Sequence, residues 1–448
     1  MSTKFDRRKF INILTLSGTT LAIGIPTFSS QGDNPKPAIL GGPKAHPGEF
    51  PDWPVFDQKE EASLLEVLSS KSWGRLNGEA VATFENEYRK TFGSKYCLGV
   101  SSGTSALSTI LGAMDIGPGD EVIIPVYTFV ATYNVVVLNY ALPVFVDTDI
   151  ETFQIDAEKI EFSITPNTRV IMPAHIGGSP VNMDKVMEVA QRSNVPVVED
   201  ACQAHLAEWK GKPVGNQGLA GAFSFQSSKN LNCGEGGAII TNDEGFAQTC
   251  YRFHNQGQGG NKASYQAGSG TRASNMRLTE FQGNLLMAQM SRLEAQSKRR
   301  SENAAYLSLM LNEITGIHPA KFYDGTTNSA FHLYMFRFEK SHFSGLHRDK
   351  FLKALYAEGI PCSSGYGTMN RDKYVTGLVE NRHYLKIYGK KMMQEWLERN
   401  QCPQNDELAG EQAVWLTQNM LLGTKTDMDQ IVEAIRKIQS YAGELVRI

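Results

Sequence analysis

The sequence predicts an α/β protein with a large doubly wound domain on a mostly parallel sheet and a smaller C-terminal α+β domain. Short apolar runs alternate with proline-free helical stretches from about residue 95 to residue 241, which is typical of parallel βαβ units. Runs such as Glu121–Pro125 are apolar almost throughout, as in strands that are buried on both faces. The length of 448 residues exceeds that of one typical domain of about 100–200 residues.

The alternation begins at Tyr96–Val100, an apolar run that predicts a strand. A helical stretch follows, which starts at Ser102 and extends to about Met114. The turn Gly117–Asp120 then leads into the strand Glu121–Pro125. The elements predicted after it are a helix around Ala131–Tyr140, a strand at Pro143–Val146, a helix near Ala157–Ile164, a strand at Arg169–Pro173, a helix at Met183–Ser193, and strands at Val195–Glu199, Ala222–Phe225 and Ala238–Thr241.

Further segments complete the predicted organisation. Arg277–Leu311 is long, proline-free and amphipathic, so we expect a helix that leads out of the large domain (76–312) into the small one (313–448). We expect residues 31–75 to pack on the small domain. The glycine-rich stretch Gly257–Gly270 interrupts the regular pattern and predicts a mobile loop.

The composition excludes several classes of protein. Hydrophobic residues make up 41% and charged residues 20%, as in an ordinary globular chain. The 44 basic and 47 acidic residues give a net charge of −3, which does not support a nucleic-acid partner. The cysteines form no C-x-x-C pair, so we expect neither a metal site nor a dense disulfide framework. They are Cys97, Cys202, Cys233, Cys250, Cys362 and Cys402.

Residues 1–30 have the layout of an export signal. The paired Arg7 and Arg8 precede an uncharged run, Ile11–Ile25, and the pair resembles a bacterial twin-arginine signal. The run spans about fifteen residues, whereas a membrane-spanning helix needs about twenty. We therefore expect an exported, periplasmic protein without a stable membrane span. An uncleaved anchor and a cytoplasmic location are the alternatives.

Candidate functional residues lie where predicted strands end, which is where open parallel sheets bind ligands. Ser102–Ser105 joins a strand to a helix, and the free N–H groups and hydroxyls there suit a phosphate. An ordinary serine N-cap is the alternative. Asp200 ends another strand, with Gln203 three residues later. A carboxylate there can hold a ring nitrogen protonated, or it can simply cap a helix.

A lysine and an aromatic residue complete the set. Phe223–Lys229 runs from a strand into the glycine-rich Cys233–Gly237, so Lys229 could approach a ligand closely, although most lysines lie on the surface. Phe129 follows a strand and could stack on a flat ring or fill the core. A phosphate cup, an aromatic residue, a strand-end acid, Ser224 and a lysine, in this order, indicate a pyridoxal-phosphate site. That cofactor needs an anchored phosphate, an acid at its ring nitrogen and an amine for a Schiff base.

Five stretches together resemble the DegT/DnrJ/StrS-type sugar aminotransferases of pyridoxal-phosphate fold type I. They are SSGTSAL (101–107), GDEVIIPVYTFVAT (119–132), VVEDACQAH (197–205), AFSFQSSKNLNCGEGGAIIT (222–241) and SNMRLTEFQGNLLMAQMSRLE (274–294). The resemblance covers roughly residues 37–440. It implies an aspartate-aminotransferase-like fold and pyridoxal 5′-phosphate as the cofactor.

The resemblance also implies roles for the matching residues. Lys229 would form the Schiff base and act as general acid/base, and Asp200 would pair with the pyridinium nitrogen. Phe129 would stack on the ring, and Gln203 would lie near the ring oxygen. Asn275 matches a residue that reaches the phosphate of the neighbouring subunit, which implies a homodimer with shared active sites. The residues that would hold the phosphate are Gly103, Thr104, Ser105 and Ser224.

The implied activity belongs to amino-sugar biosynthesis: transfer of an amino group from glutamate or glutamine to a keto-sugar or keto-cyclitol. LGGPKA (40–45) and FHLYMFRF (331–338) are similar to the cyclitol branch, which aminates scyllo-inosose-like ketones. His175–Gly178 and Ser364–Gly367 depart from the family pattern on the substrate side. Family dehydratases replace the lysine, whereas Lys229 is present here. The alternative function is a non-catalytic binding or sensory protein that keeps this fold.

Overall fold

Strands and helices alternate along the first half of the chain in the structure, a computed structural model that describes residues 35–259 and 272–448. The strands of this half are β1 (Tyr96–Val100), β2 (Glu121–Pro125), β3 (Leu142–Val146), β4 (Thr168–Ile171), β5 (Val198–Asp200), β6 (Glu208–Trp209), β7 (Lys212–Pro213), β8 (Ala220–Ser224) and β9 (Gly237–Thr241). The helices are α1 (Gln58–Ser70), α2 (Ala80–Thr91), α3 (Gly103–Ala113), α4 (Val130–Val137), α5 (Met183–Ser193), α6 (Glu244–His254) and α7 (Glu280–Leu311).

The large sheet is parallel except at one strand. β2 runs parallel to β3 and β4, and β5 runs parallel to β8. Parallel bridges from Ile171 to Val197 and from Ala174 to Asp200 connect these two groups of strands. β9 lies between β1 and β8 and is antiparallel to both. The β8–β9 connection contains no crossover helix, which a parallel pair would require.

This topology brings the carboxyl ends of β1, β2, β5 and β8 to one edge of the sheet. Their side chains elsewhere are buried between helices, as the apolar runs predict. The polar residues at or just after these strand ends therefore border a common crevice. That edge carries the site.

Helix boundaries follow from capping. α3 begins because the Ser102 side chain accepts a hydrogen bond from the Ser105 N–H at 2.9 Å. α7 begins at a capping box in which Thr279 and Gln282 satisfy each other's backbone N–H groups. α5 ends at Asn194, whose φ of 53° is left-handed, a conformation that asparagine tolerates.

The structure corrects the predicted helix at Ala157–Ile164. This segment forms two 3₁₀ turns, Ala157–Lys159 and Glu161–Ser163, with buried Ile160 between them. Ile160, Phe162 and Ile164 favour a helix weakly, and Pro166 comes two residues after the segment, so one continuous helix gains little here. The strand predicted at Val195–Glu199 is also shorter, because only the last two of those residues belong to β5.

The C-terminal part contains a second, antiparallel sheet. Its strands, in the order β10-β12-β13, pack against α8 and α12 around Phe336, Phe338 and Phe351. The strands of this sheet are β10 (Ile317–Pro319), β12 (Leu333–Phe338) and β13 (Ala413–Thr417), whereas β11 (Thr326–Asn328) pairs with β6. The helices are α8 (Arg348–Ala357), α9 (Lys373–Thr376), α10 (Arg382–Arg399), α11 (Pro403–Glu407), α12 (Lys425–Ser440) and α13 (Ala442–Leu445).

Some segments cross the predicted domain boundaries. α10 packs on the large sheet, where the Trp396 indole N–H donates to the Pro143 carbonyl at 2.6 Å. α1 contacts α7 through Glu60 and Arg292, whereas the Glu358 carboxylate accepts the Ala45 N–H near the small sheet. The boundaries at residues 75 and 312 stay predictions.

The predicted leader (1–30) and residues 260–270 of the predicted glycine-rich loop lie outside the described residues. Within the parts of the chain that are described, every helix is too short or too polar to cross a bilayer.

Candidate active site

A cavity of 750 Å³ lies at the carboxyl edge of the large sheet. Residues that follow β1, β2, β5 and β8 line one side of it, and residues of β12 and β13 line another. Seven of the residues predicted from the sequence line this cavity: Gly103, Thr104, Phe129, Asp200, Gln203, Ser224 and Lys229. The fold therefore brings these side chains to one place, as their positions at predicted strand ends suggested.

The start of α3 forms an anion cradle. The first N–H groups of a helix have no partner inside it, and here those of Gly103 and Thr104 belong to residues that line the cavity. A Cβ on Gly103 would come 2.7 Å from the Ser224 Cβ and 2.9 Å from the Cys202 Sγ. Only glycine allows the backbone to approach Ser224 this closely. The N–H groups of Gly103 and Thr104 and the hydroxyl of Ser224 are donors that suit a phosphate.

Asp200 is held at the end of β5 in a fixed orientation. Its Oδ2 accepts the Thr132 hydroxyl at 2.8 Å, and its Oδ1 accepts the Cys202 N–H at 3.2 Å. Thr128 supports Thr132 through a 2.8 Å hydroxyl contact. The Asp200 side chain is buried, yet it borders the cavity. A carboxylate in this position can pair with a cationic ring nitrogen that is itself buried.

Lys229 lies beside a histidine that the sequence analysis did not assign to the site. Its Nζ is 3.5 Å from the His332 Nε2, and His332 Nδ1 is 3.3 Å from the Asn230 Oδ1. The Asn230 amide nitrogen donates to the Ala330 carbonyl, so its oxygen faces His332. His332 Nδ1 therefore carries the proton, and Nε2 accepts from the lysine.

Burial sets the protonation of this pair. It lowers the pKa of Lys229, and the charge of Asp200 opposes the shift only in part. Burial, with the Lys229 charge nearby, also lowers the pKa of His332 well below 6.5. A lysine whose amine loses its proton easily is suited to nucleophilic and proton-transfer chemistry.

Aromatic and amide side chains line further parts of the cavity. The Gln203 oxygen accepts the Gly177 N–H at 2.8 Å, and its nitrogen donates to the Tyr366 hydroxyl at 2.6 Å. Tyr366 packs edge-on against Trp415 at 4.5 Å, and Phe129 lies at the cavity mouth, 54% exposed. An exposed phenylalanine beside a polar cavity offers its face to a planar ligand.

A buried carboxylate fixes the strand below the site. Glu199 accepts N–H groups of Gly215, Gln217 and Gly218 at 2.7–2.8 Å and the His175 Nε2–H at 3.1 Å. Burial alone would raise the pKa of Glu199, but these hydrogen bonds outweigh it and lower the pKa. Glu199 thus anchors β5 next to Asp200.

Two predicted residues lie outside the cavity of this chain. The Ser105 hydroxyl bonds to Ser101 and Ser102, and Ser102 borders the cavity instead. Asn275 is exposed and pairs with Asn255. Among the described residues, no group of three or more His, Cys, Asp and Glu side chains is placed to hold a metal.

Sequence reasoning missed His332, Tyr366, Trp53 and Gln418, which also line the cavity. His332 lies within the FHLYMFRF stretch, which was used only for its similarity to the cyclitol branch and not as a source of site residues. Tyr366 lies within Ser364–Gly367, which was noted only as a departure from the family pattern, and Trp53 and Gln418 lie in distant segments without a spacing that points to a ligand. The position of these residues in the cavity depends on packing between segments that are far apart in the sequence.

The family follows from comparison with known proteins. Residues 54–436 match the DegT/DnrJ/EryC1/StrS aminotransferase family. The chain belongs to this family. It is a pyridoxal-phosphate-dependent aminotransferase of fold type I, which confirms the fold class, enzyme class and cofactor predicted from the sequence.

Similar proteins agree with this assignment. The aminotransferase is 34% identical over 415 residues to a putative L-glutamine:3-amino-2,3-dideoxy-scyllo-inosose aminotransferase of Streptoalloteichus tenebrarius, which covers 90% of this chain and 97% of that protein. It is 31% identical to the L-glutamine:scyllo-inosose aminotransferase of Streptomyces griseus, with 92% and 99% covered. The crystal structure of 3-amino-5-hydroxybenzoic acid synthase superposes with a TM-score of 0.78 at 30% identity, with 89% and 99% covered.

Proposed function

We propose that this aminotransferase moves an amino group from glutamine or glutamate to the ketone of a scyllo-inosose-like cyclitol or a keto-sugar. The observation that carries the proposal is the amine of Lys229 in the cavity, next to His332 and together with Asp200. The names of the relatives support glutamine as the donor and a keto-cyclitol as the acceptor.

The residues present fit pyridoxal phosphate. Gly103, Thr104 and Ser224 would hold the phosphate at the anion cradle, and Asp200 would keep the ring nitrogen protonated. Phe129 would cover the ring face, and Gln203 would lie near the ring oxygen. When bound, the cofactor accepts into its ring the electron pair left at the substrate carbon.

Lys229 does the proton transfer in this proposal. Its lowered pKa lets Nζ take a proton from the substrate Cα and return one during the second half of the reaction. His332 Nε2 accepts a hydrogen bond from Nζ, which directs the remaining lone pair and protons toward the cavity. The aromatic residues Tyr366 and Trp415 exclude water from one side and offer an apolar face to a ring substrate.

A half-reaction screen tests the proposal. The cofactor-loaded enzyme is mixed with single amino acids, and conversion of the cofactor is followed by absorbance. The amine-loaded enzyme is then mixed with keto-cyclitols and with nucleotide-linked keto-sugars. We expect glutamine or glutamate to convert the cofactor and a scyllo-inosose-like ketone to reverse the conversion. If no amino acid changes the spectrum, the chain is the binding or sensory protein of the alternative hypothesis.

We further propose a homodimer in which Asn275 completes the site of the neighbouring subunit. Its exposure on the surface of one chain supports this proposal. Mixing refolded Lys229→Ala and Asn275→Ala chains tests it, because one of the two sites in a mixed dimer then keeps both residues. We expect activity to return to about a quarter of that of the unmodified enzyme, the fraction that random pairing gives for intact sites. Activity that stays at the level of the separate variants contradicts a shared site.

We also propose export of the folded enzyme through residues 1–30. The paired Arg7 and Arg8 before the uncharged run support it. Cell fractionation tests the proposal, with the Arg7→Lys/Arg8→Lys double variant as the matched control. We expect the unmodified chain in the periplasm and the variant in the cytoplasm. An unmodified chain found in the cytoplasm contradicts the export proposal.

A further inference from the structure

One wall of the cavity is built from both ends of the chain. Trp53 and Gln418 line it. The Trp53 indole N–H donates to the Ser227 carbonyl at 3.0 Å, two residues before the lysine, and Asn419 donates to the Pro51 carbonyl at 2.8 Å. These contacts fix the wall close to the reacting amine.

A buried arginine lies behind this wall. Arg300, on α7, is fully buried, and its guanidinium carbon lies 5.2 Å from the centre of the Trp53 ring. Its Nε donates to the Gln418 Oε1 at 2.8 Å. Its two terminal nitrogens have no hydrogen-bond partner in the described part of the chain, and Arg300 forms no ion pair there. Burial lowers the pKa of Arg300 to about 9, so it remains cationic at neutral pH.

The arginine decides how the Gln418 amide is oriented. An arginine can only donate hydrogen bonds, so the Gln418 atom that faces it must be the carbonyl oxygen. The amide NH₂ is left for the cavity, and no residue in the described ranges accepts from it. Gln418 therefore presents fixed donors to a ligand, with a buried positive charge behind them.

The described lining of the cavity offers no other obvious cation for a carboxylate. Lys229 is the only lysine or arginine among its described lining residues, and the proposed function commits it to the cofactor. The anion cradle at α3 is committed to the phosphate. An amino-acid donor brings a further carboxylate, which needs hydrogen-bond donors and positive potential once it is buried.

We propose that Gln418, positioned by Arg300, binds the α-carboxylate of the amino donor. The inference rests on the proposed function, because it takes an amino acid as the donor. Gln418 contacts the substrate, and Arg300 acts through it as a positioning residue. A neutral hydroxyl of the acceptor gains little from the buried charge, whereas a carboxylate gains most in a site of low dielectric.

The first experiment replaces the contacting amide. In the donor half-reaction we expect Gln418→Leu to raise the KM for glutamine about 10–100-fold, the loss typical of a hydrogen bond to a charged group. The limiting rate should change about twofold at most, because Lys229 is untouched. The KM for 4-aminobutanamide, which is glutamine without its α-carboxylate, and the KM for the keto acceptor should stay unchanged.

Matched controls separate this effect from damage to the fold. Gln401→Leu makes the same change on an exposed residue outside the cavity, and it should leave every constant unchanged. Retention of the visible absorbance of the bound cofactor by Gln418→Leu shows that the site is assembled. A rise in the acceptor KM without a rise in the glutamine KM overturns the proposal, and so does an equal rise for glutamine and 4-aminobutanamide.

The second experiment tests the arginine without turnover. Glutarate, a dicarboxylate without an amine, is titrated into the cofactor-loaded enzyme by calorimetry. We expect Gln418→Leu and Arg300→Met each to weaken binding at least about tenfold, and the double variant to weaken it less than the two effects combined. Arg299→Met, on the exposed neighbour, is the control, and Arg300→Lys replaces Arg300→Met if that chain does not fold.

The two proposals fail in different ways. If the unmodified enzyme converts no amino acid, the proposed function is wrong, and glutarate binding still decides the role of Gln418. If glutamine is converted but binding of glutarate does not depend on Gln418 or Arg300, the carboxylate site is wrong while the aminotransferase activity stands.

Discussion

At the residue scale, the site depends on a lysine amine whose pKa is lowered by burial. Lys229 lies beside the buried His332, and Asp200 lines the same cavity. Because the neutral His332 accepts a hydrogen bond from Lys229, it fixes the orientation of the amine. A protonated histidine would instead repel the lysine ammonium.

The first prediction concerns this amine. Lys229→Ala should abolish the visible absorbance of the lysine-bound cofactor and reduce transamination by at least about 10²–10⁴-fold, the contribution typical of a general acid/base. Absorbance spectra and the donor half-reaction measure both effects. Lys212→Ala, on an exposed lysine, serves as the control and should behave as the unmodified enzyme. A persistent absorbance band in Lys229→Ala would show that another lysine binds the cofactor.

The second prediction concerns the anion cradle. Gly103→Ala places a methyl group 2.7 Å from the Ser224 Cβ, so the helix start must move away from the phosphate site. Overpacking of this kind costs about 1–3 kcal/mol, which corresponds to a cofactor Kd raised roughly 5–150-fold. Titration of the apoenzyme with pyridoxal phosphate measures it. Gly117→Ala adds a methyl group where the nearest atom is 4.0 Å away, and it should leave the Kd unchanged.

At the scale of elements, Glu199 ties β5 to the loop that precedes β8. The third prediction is that Glu199→Gln lowers the free energy of unfolding by about 3–5 kcal/mol, because one amide cannot accept from all these donors. Urea unfolding measures the loss. Glu188→Gln, on the exposed face of α5, should cost about 0.5 kcal/mol or less.

The pH dependence has a defined sign. The folded pKa of Glu199 lies below its unfolded value near 4.5, so its stabilisation is present above that pH. It is lost as the pH falls through the folded pKa. The difference between the unmodified chain and Glu199→Gln should therefore be full at neutral pH and shrink below about pH 4.5. An unchanged difference in strong acid contradicts an ionised Glu199.

Sequence reasoning predicted the elements that its patterns specify and missed those that depend on packing. Apolar runs such as Leu142–Val146 are buried on both faces only in the interior of a parallel sheet, so these strands were predictable. The two 3₁₀ turns of Ala157–Ile164 were not predictable, because half of the residues there favour a helix and the turns depend on the packing of buried Ile160. Asp200 and Ser224 follow strands and could be found, whereas Gln418 reaches the cavity only through long-range packing with Arg300.

At the scale of the whole molecule, buried neutral histidines couple stability to pH. Burial lowers the pKa of His205 to about 4 and that of His254 to about 3, and it lowers the pKa of His332 well below 6.5. Below about pH 6.5 the unfolded chain binds protons on these rings that the folded chain does not. Folding therefore becomes less favourable as the medium is acidified.

The fourth prediction follows from these three groups. The free energy of unfolding should fall by about 4 kcal/mol per pH unit below about pH 6, because three protons are involved and each contributes about 1.4 kcal/mol. Urea unfolding at several pH values measures the slope. His254→Asn should remove about a third of it, while a slope that stays flat down to pH 5 contradicts buried neutral histidines.

The contact between Asn419 and Pro51 joins residues that are 368 positions apart in the sequence. A chain that is still being synthesised lacks this wall of the cavity until nearly its whole length has left the ribosome. Completion of the cavity is thus delayed to the end of translation. A cavity that is closed on this side accordingly indicates that both ends of the chain have folded together.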